Sequence, residues 1–283
     1  MPYNPDRINI HELTVEEPEK QEALPFDPEN EITEVDRKMM LNNLEKLKKN
    51  GWWYDFGKLA AEIKIIDPDL DLGLDDDAWK KMLNEMSDTY KEKGDTWGII
   101  LKIGNMKVLN PPMPIEAIIS TASGGAKDFQ SIMGILDSSL KRSSQQDFWG
   151  DFCGQAVRAK ILDPNFDILV DEKVRQGIRE ELQDDRENGH WANFADEAMA
   201  LKLIDSLYGL KMDQEAWKGM RGELEKYKKD GDRGLNFAKL AGAMKILAAK
   251  KVEVTDEGLK ITMSERKESI KPETPPIPEA KQF

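Results

Sequence analysis

A lysine recurs at one position of a repeated phrase in this chain. The phrase reads "AEIKII", "GNMKVL", "VRAKIL", "MALKLI" and "GAMKIL", so two aliphatic residues follow the lysine each time. The five lysines are Lys64, Lys107, Lys160, Lys202 and Lys245. Near a helix end, a lysine can hold its charge against the last carbonyl groups. Stacked repeats would instead align the five charges into a row that attracts an acidic ligand, so these lysines are the candidate partner-binding residues.

Other residue types that carry chemistry are poorly placed. The single cysteine, Cys153, aligns with Gly57 and Ala195 of other repeats, which indicates a slot for a small buried side chain. The two histidines, His11 and His190, form neither a Cys/His zinc pattern nor a dyad with a nucleophile. The sequence therefore predicts no catalytic residue, no metal site and no cofactor.

Two short segments resemble ligand-binding loops. The aspartate-rich "DPDLDLGLDDD", residues 67 to 77, lacks the glycine position and the closing glutamate of an EF-hand calcium loop. An Asp-Pro turn followed by a helix N-cap at Asp75 explains it better. The segment "STASGGAK" lacks the spacing of a phosphate loop and is typical of a flexible insertion.

The lysines define a repeat near 43 residues, because their spacings are 43, 53, 42 and 43. The long interval contains residues 111 to 127, where several prolines and the pair Gly124-Gly125 interrupt helical periodicity. We therefore predict an insertion at 111 to 127.

Each lysine lies at the end of a predicted helix with one apolar face. In most copies a tryptophan precedes the lysine by eleven residues, a phenylalanine follows three residues later and an alanine follows after four more, as in Trp149, Phe152 and Ala156. Residues at this spacing share one face of a helix, so the repeated tryptophans belong to the core.

A second helix is predicted ahead of each of these helices. Its N-cap residues are Asp75, Asp171, Asp213 and Thr255, each preceded by a short apolar phrase. Two helices in each of five units give about ten helices.

These patterns predict an all-α fold, a stack of about five two-helix repeats resembling an α-solenoid over residues 35 to 263. A compact bundle closed on itself is the alternative. Residues 1 to 34 and the proline-rich residues 264 to 283 have little to bury, so we predict extended, disordered tails there.

The charge distribution bears on partners. Residues 1 to 34 contain ten acidic and two basic residues, a net charge of −8, which leaves −5 of the total −13 for the rest of the chain. The absence of a basic cluster disfavours nucleic acid. No apolar run approaches the ~20 residues that cross a bilayer, which disfavours a membrane protein. One cysteine and no signal-like start favour the cytoplasm.

The function that these observations favour is a non-catalytic interaction scaffold or adaptor, which binds a protein or peptide on a helical surface. The partner would be acidic if the lysine row binds it. The alternatives are a structural subunit of a larger assembly, such as a viral or secretion complex, and an enzyme that uses carboxylates in a groove. An inter-helix pocket that gathers several acids with raised pKa values would favour the enzyme.

Overall fold

The fold comes from a computed structural model, which describes residues 25–110, 112, 114–125, 127–205, 210, 212–230 and 234–263. Within these ranges the chain forms twelve helices and one β-hairpin. The helices are α1 (Pro28–Glu31), α2 (Glu34–Asn50), α3 (Trp53–Ile66), α4 (Asp76–Lys93), α5 (Thr96–Leu109), α6 (Ile115–Ser123), α7 (Phe129–Gln145), α8 (Trp149–Leu162), α9 (Glu172–Asn188), α10 (Trp191–Ile204), α11 (Gln214–Asp230) and α12 (Leu235–Ala248). Strands β1 (Lys251–Thr255) and β2 (Gly258–Thr262) form the antiparallel hairpin.

The five helices that carry the repeated lysine in their last turn form a closed ring. In this inner ring α3 contacts α5, α5 contacts α8, α8 contacts α10, α10 contacts α12, and α12 contacts α3 again. The outer helices α2, α4, α7, α9 and α11 pack against the inner ones. The all-α repeat architecture is thus confirmed, and the repeats close on themselves, which was the alternative to an open stack.

Neighbouring inner helices run in the same direction. At one pole, Lys202 of α10 reaches the last carbonyls of α12, and Lys245 of α12 reaches the carbonyl of Ile66 at the end of α3. Nearer the other ends, Asp196 of α10 pairs with Lys239 of α12. The N-termini of the five inner helices therefore share one pole of the ring, and their C-termini share the other.

The repeated tryptophans pack where outer and inner helices meet. Trp149 lies over Gly177 of α9, and Trp191 lies over Gly219 of α11, so close that a Cβ atom at either glycine would overlap the indole ring. The edge of Phe194 meets Trp191, with ring centroids 5.7 Å apart. These contacts confirm that Trp149 and Trp191 serve packing. Trp52, which is outside the repeat pattern, is 57% exposed.

The inter-repeat segment at 111 to 127 contains a helix that we did not predict. After Pro114, the residues Ile115, Ile118, Ile119 and Ala122 follow helical spacing, and all four are buried in α6. Helix α6 packs against α4 and α5. The prolines of this segment come before the helix, where they do not interrupt its hydrogen bonds.

The phrase "VEVTDEGL" was wrongly predicted to begin another outer helix at Thr255. It forms β1, the turn and the start of β2, with Thr255 paired to Gly258. Val252 and Val254 alternate with charged residues, which suits a strand, and Gly258 takes a φ of 103° at the turn.

The predicted N-terminal tail is too long, because residues 25 to 34 belong to the fold. Phe26 and Ile32 are each 1% exposed, and the side chain of Thr33 caps α2 in a capping box. Glu31 accepts hydrogen bonds from Arg221 of α11 at 2.6 and 2.8 Å, which ties the first repeat to the last. Residues 1 to 24, with His11, and residues 264 to 283 lie outside the described residues.

Candidate ligand-binding cavity

The five repeated lysines all donate hydrogen bonds to backbone carbonyls near the C-terminal ends of the inner helices. Their acceptors and distances from Nζ are Pro68 (2.6 Å) and Leu70 (2.9 Å) for Lys64, Asp256 (3.1 Å) for Lys107, Pro164 (3.2 Å) for Lys160, Leu247 (2.8 Å) and Ala249 (2.6 Å) for Lys202, and Ile66 (2.9 Å) for Lys245. Only Lys64 and Lys160 bond the end of their own helix, as the local interpretation predicts. Lys202 and Lys245 bond the end of the neighbouring inner helix, and Lys107 bonds the hairpin turn, so these three join separate elements. Partner binding by the same lysines stays a prediction.

The ring explains why a lysine is repeated there. Parallel inner helices bring the negative ends of five helix dipoles to one pole, and each repeat places an ammonium group against them. Burial lowers the pKa of Lys202, and it also lowers the pKa of Lys245 despite nearby acids such as Asp67. Lys107 binds the hairpin turn and so holds the hairpin over this pole.

The inner ring encloses a cavity of about 840 Å³. One stripe of each inner helix lines it, and positions on the stripe are counted from the repeated lysine. Three levels recur: six residues before the lysine and one residue after it in all five repeats, and two residues before it in four repeats. The hairpin lines the end near the lysines with Val254 and Leu259, and the first turns of the inner helices, including Asn193 and the exposed Asp151, line the other end. That end is the mouth.

Charged residues cluster at the upper two levels, which we call the charged collar: Lys58, Glu62, Arg158, Asp196 and Lys239. Asp196 and Lys239 form an ion pair. Burial raises the pKa of Glu62 to about 7; the charge of Asp196 adds to this shift, whereas Lys239 and Lys58 oppose it. Burial also raises the pKa of Asp196 against the effect of Lys239. Near neutral pH, Glu62 is therefore partly protonated.

Two cations of the collar have no carboxylate bound to them. Among the described residues, the side chains of Lys58 and Arg158 make neither a salt bridge nor a hydrogen bond, although both feel the charge of Asp196. Burial lowers the pKa of Arg158, which is the expected effect of removing a cation from water. Tyr54 and Trp97 lie above them toward the mouth.

The lowest level of the cavity is aliphatic in every repeat. The residue directly after the repeated lysine lines the cavity in all five copies, and we call this set the aliphatic floor: Ile65, Val108, Ile161, Leu203 and Ile246. Four of the five, all except Ile246, are partly exposed. The cavity thus changes from charged to apolar between the collar and the hairpin.

A second group of acids lies between α8, α9 and α10, and two of its members, Glu181 and Glu197, line the side of the same cavity. Glu197 and Asp185 are buried, and each has one carboxylate oxygen without a partner among the described residues. Burial raises the pKa of Glu197 to about 8, and the charges of Asp185 and Glu181 add to the shift. Cys153 is buried beside this group, and burial raises the pKa of its thiol far above the usual range. The prediction that Cys153 fills a small buried slot is confirmed.

Within the described ranges, no His, Cys, Asp and Glu side chains gather in a geometry that would hold a metal ion. In the same ranges, every helix is too short or too polar to cross a membrane. The chain matches no protein-family model, no curated protein and no solved structure.

The aliphatic floor could be recognised from a pattern in the sequence, whereas the charged collar could not. An aliphatic residue follows the lysine in all five copies, but the phrase does not show which of the two aliphatics faces inward. Only the first of the two lines the cavity. Sequence reasoning missed the collar because its charges occupy different levels in different repeats.

Proposed function

We propose that the protein binds a small organic anion in the cavity of the inner ring. The observation that carries this proposal is the placement of Lys58 and Arg158, two cations that face an internal cavity without a bound carboxylate. Arg158 is half-buried, and partly withdrawing a guanidinium group from water is costly unless the charge is paired, which an anionic ligand would do. The N-terminal ends of five inner helices at the mouth add a favourable potential.

The charge of the collar supports an anion over a cation. The collar contains three cations against two acids. The full lining of the cavity adds Lys107 and three acids, which gives four cations against five acids: Glu62, Asp151, Glu181, Asp196 and Glu197. With pKa values of about 7 and about 8, Glu62 and Glu197 carry less than a full negative charge near neutral pH, so the cations are not outweighed. Asp196 is already paired with Lys239. An entering carboxylate or phosphate therefore meets the positive charge of Lys58 and Arg158.

Acid–base catalysis on the bound anion is a second candidate function. Glu62 and Asp196 are acids with raised pKa values in one cavity, which is the pattern that favours the carboxylate enzyme. Turnover of a candidate anion, followed by NMR, should disappear in Glu62→Gln while binding remains. Retained turnover would exclude Glu62 as the proton-transfer group.

The scaffold and assembly functions remain predictions for the outer surface, as does a cytoplasmic location. The cavity argues for neither function, since a partner protein would meet the outer helices. Ligand binding is therefore the function that the geometry supports best.

The direct test is calorimetric titration of the full chain with inorganic phosphate and with acetate at low salt. We expect saturable binding to the parent and about tenfold weaker binding to Arg158→Gln or Lys58→Gln, because a charge-assisted contact is lost. Arg179→Gln is the matched control, since Arg179 lies on α9 and pairs with the exposed Glu172.

Thermal unfolding of the same variants separates binding from folding. Arg158→Gln should unfold at the same temperature as the parent or a higher one, because it removes a half-buried cation without a bound carboxylate. Equal anion binding by the parent, Arg158→Gln and Lys58→Gln would overturn the proposal.

A further inference from the structure

The aliphatic floor bears on which kind of anion the cavity binds, because it offers apolar surface to the ligand. Its five side chains come from the same position of five repeats, one residue after the lysine that fixes the helix end. The alanines buried on another face of these helices, such as Ala156 and Ala198, are fully enclosed by neighbouring helices. The floor residues Ile161 and Leu203, by contrast, keep part of their surface toward the cavity.

The hairpin completes an apolar chamber below the collar. Val254 and Leu259 line the same cavity as the floor residues, and β1 contacts α8 and α10 while β2 contacts α5. The hydrogen bond from Lys107 to the carbonyl of Asp256 anchors the turn. The hairpin therefore covers the end of the ring with apolar side chains rather than with charges.

We infer that the ligand is amphipathic, with an anionic head group bound by the charged collar and an unbranched aliphatic chain lying on the aliphatic floor. This inference rests on the proposed function, because the collar supplies the head-group site. The collar level of Lys58 and the floor level of Ile65 are seven residues apart on α3, and a rise of about 1.5 Å per residue separates them by roughly 10 Å along the axis. An extended chain leading from the head group fits this depth.

Binding of an aliphatic chain is favourable because apolar surface of both the protein and the ligand is removed from water. An aliphatic chain in the chamber covers exposed parts of Ile65, Val108, Ile161 and Leu203 while burying its own methylene groups. A purely polar anion leaves this surface uncovered. The head group supplies orientation, since the one lining cation at the floor level within the described residues, Lys107, already donates to the carbonyl of Asp256.

The test is a chain-length series measured by calorimetry on the full chain. The probes are inorganic phosphate, methyl phosphate, butyl phosphate and octyl phosphate, with octanoate to compare the head group and octanol to remove the charge. We expect the dissociation constant to fall by up to about fourfold for each buried methylene group until the chain fills the chamber. Octanol should bind far more weakly than octyl phosphate.

Two floor variants locate the chain. Leu203→Gln and Val108→Gln should flatten the dependence on chain length while leaving the affinity for methyl phosphate unchanged. The matched control is Leu169→Gln, because Leu169 is an aliphatic residue that is 77% exposed in the loop between α8 and α9. Two variants are used so that, if one folds poorly, the other still tests whether the aliphatic chain lies on the floor.

The outcomes distinguish this inference from the proposed function. If phosphate binds through Arg158 but octyl phosphate binds no tighter than methyl phosphate, the chain-binding inference is wrong and anion binding stands. If the gain with chain length persists in both floor variants, the chain lies elsewhere and the inference is also wrong. If no probe binds, both proposals fail.

Discussion

At Glu62, burial and the neighbouring Asp196 oppose ionisation more strongly than Lys58 and Lys239 favour it. The residue lies on the cavity stripe of α3, where its carboxylate approaches Gly242 of α12. A glutamate in this position costs stability when it ionises. The position is therefore better explained by binding or proton transfer than by folding.

The pH dependence of stability tests this interpretation. The pKa of Glu62 is about 7 in the folded protein and near 4.5 in the unfolded chain, so between these values the folded state holds the extra proton. Its ionisation therefore destabilises the fold as pH rises from about 4.5 to 7.

We expect Glu62→Gln to match the parent near pH 4 and to gain stability relative to it, by at most about 3 kcal/mol, above pH 7. Urea unfolding at several pH values measures the difference. The control is Glu45→Gln, on the exposed face of α2. A constant difference across this pH range would show that Glu62 titrates normally.

At the scale of elements, the sequence was informative wherever one repeat determines its own structure. The stripe of Trp149, Phe152 and Ala156 predicted an inner helix because periodicity depends only on local spacing. The elements that were predicted wrongly are those that depart from the repeat. Helix α6 follows a proline-rich stretch that resembles an interruption, and the hairpin occupies the place where another outer helix was expected.

The glycines of the outer helices provide a test of how these elements pack. Gly219 of α11 lies beneath Trp191, where a Cβ atom would overlap the indole ring, whereas Gly222 of the same helix has open space. We expect Gly219→Ala to destabilise the protein by about 1 to 3 kcal/mol through overpacking.

Gly222→Ala is the matched control and should stabilise the protein by up to about 1 kcal/mol, because alanine favours the helix. Denaturant unfolding compares the two variants. Equal effects would mean that α11 and α10 do not meet at Trp191.

At the scale of the whole molecule, closure turns five similar stripes into one cavity. An open stack would spread Lys58, Arg158 and Lys239 along a concave surface in contact with water, where their charges would be screened. In the ring they face one another across a confined space. Closure was not predictable from a single repeat, because it depends on the angle between successive repeats and on the contacts of Glu31 with Arg221.

The contact between α12 and α3 therefore decides whether the cavity exists. Gly242 of α12 lies at this contact, where a Cβ atom would come 3.3 Å from Oε2 of Glu62 and 3.5 Å from Ile65. We expect Gly242→Leu to separate the first and last inner helices and to cost about 1 to 3 kcal/mol. Gly104→Leu is the matched control, because Gly104 occupies the same repeat position in α5 and has open space toward the cavity.

Tryptophan fluorescence and circular dichroism during urea unfolding measure both variants. The parent and Gly104→Leu should give one coincident transition, since each inner helix of a closed ring contacts two others. Gly242→Leu should unfold at lower urea, and separate transitions for the two probes would indicate an opened ring. If both variants unfold like the parent, α12 and α3 do not close the ring in solution.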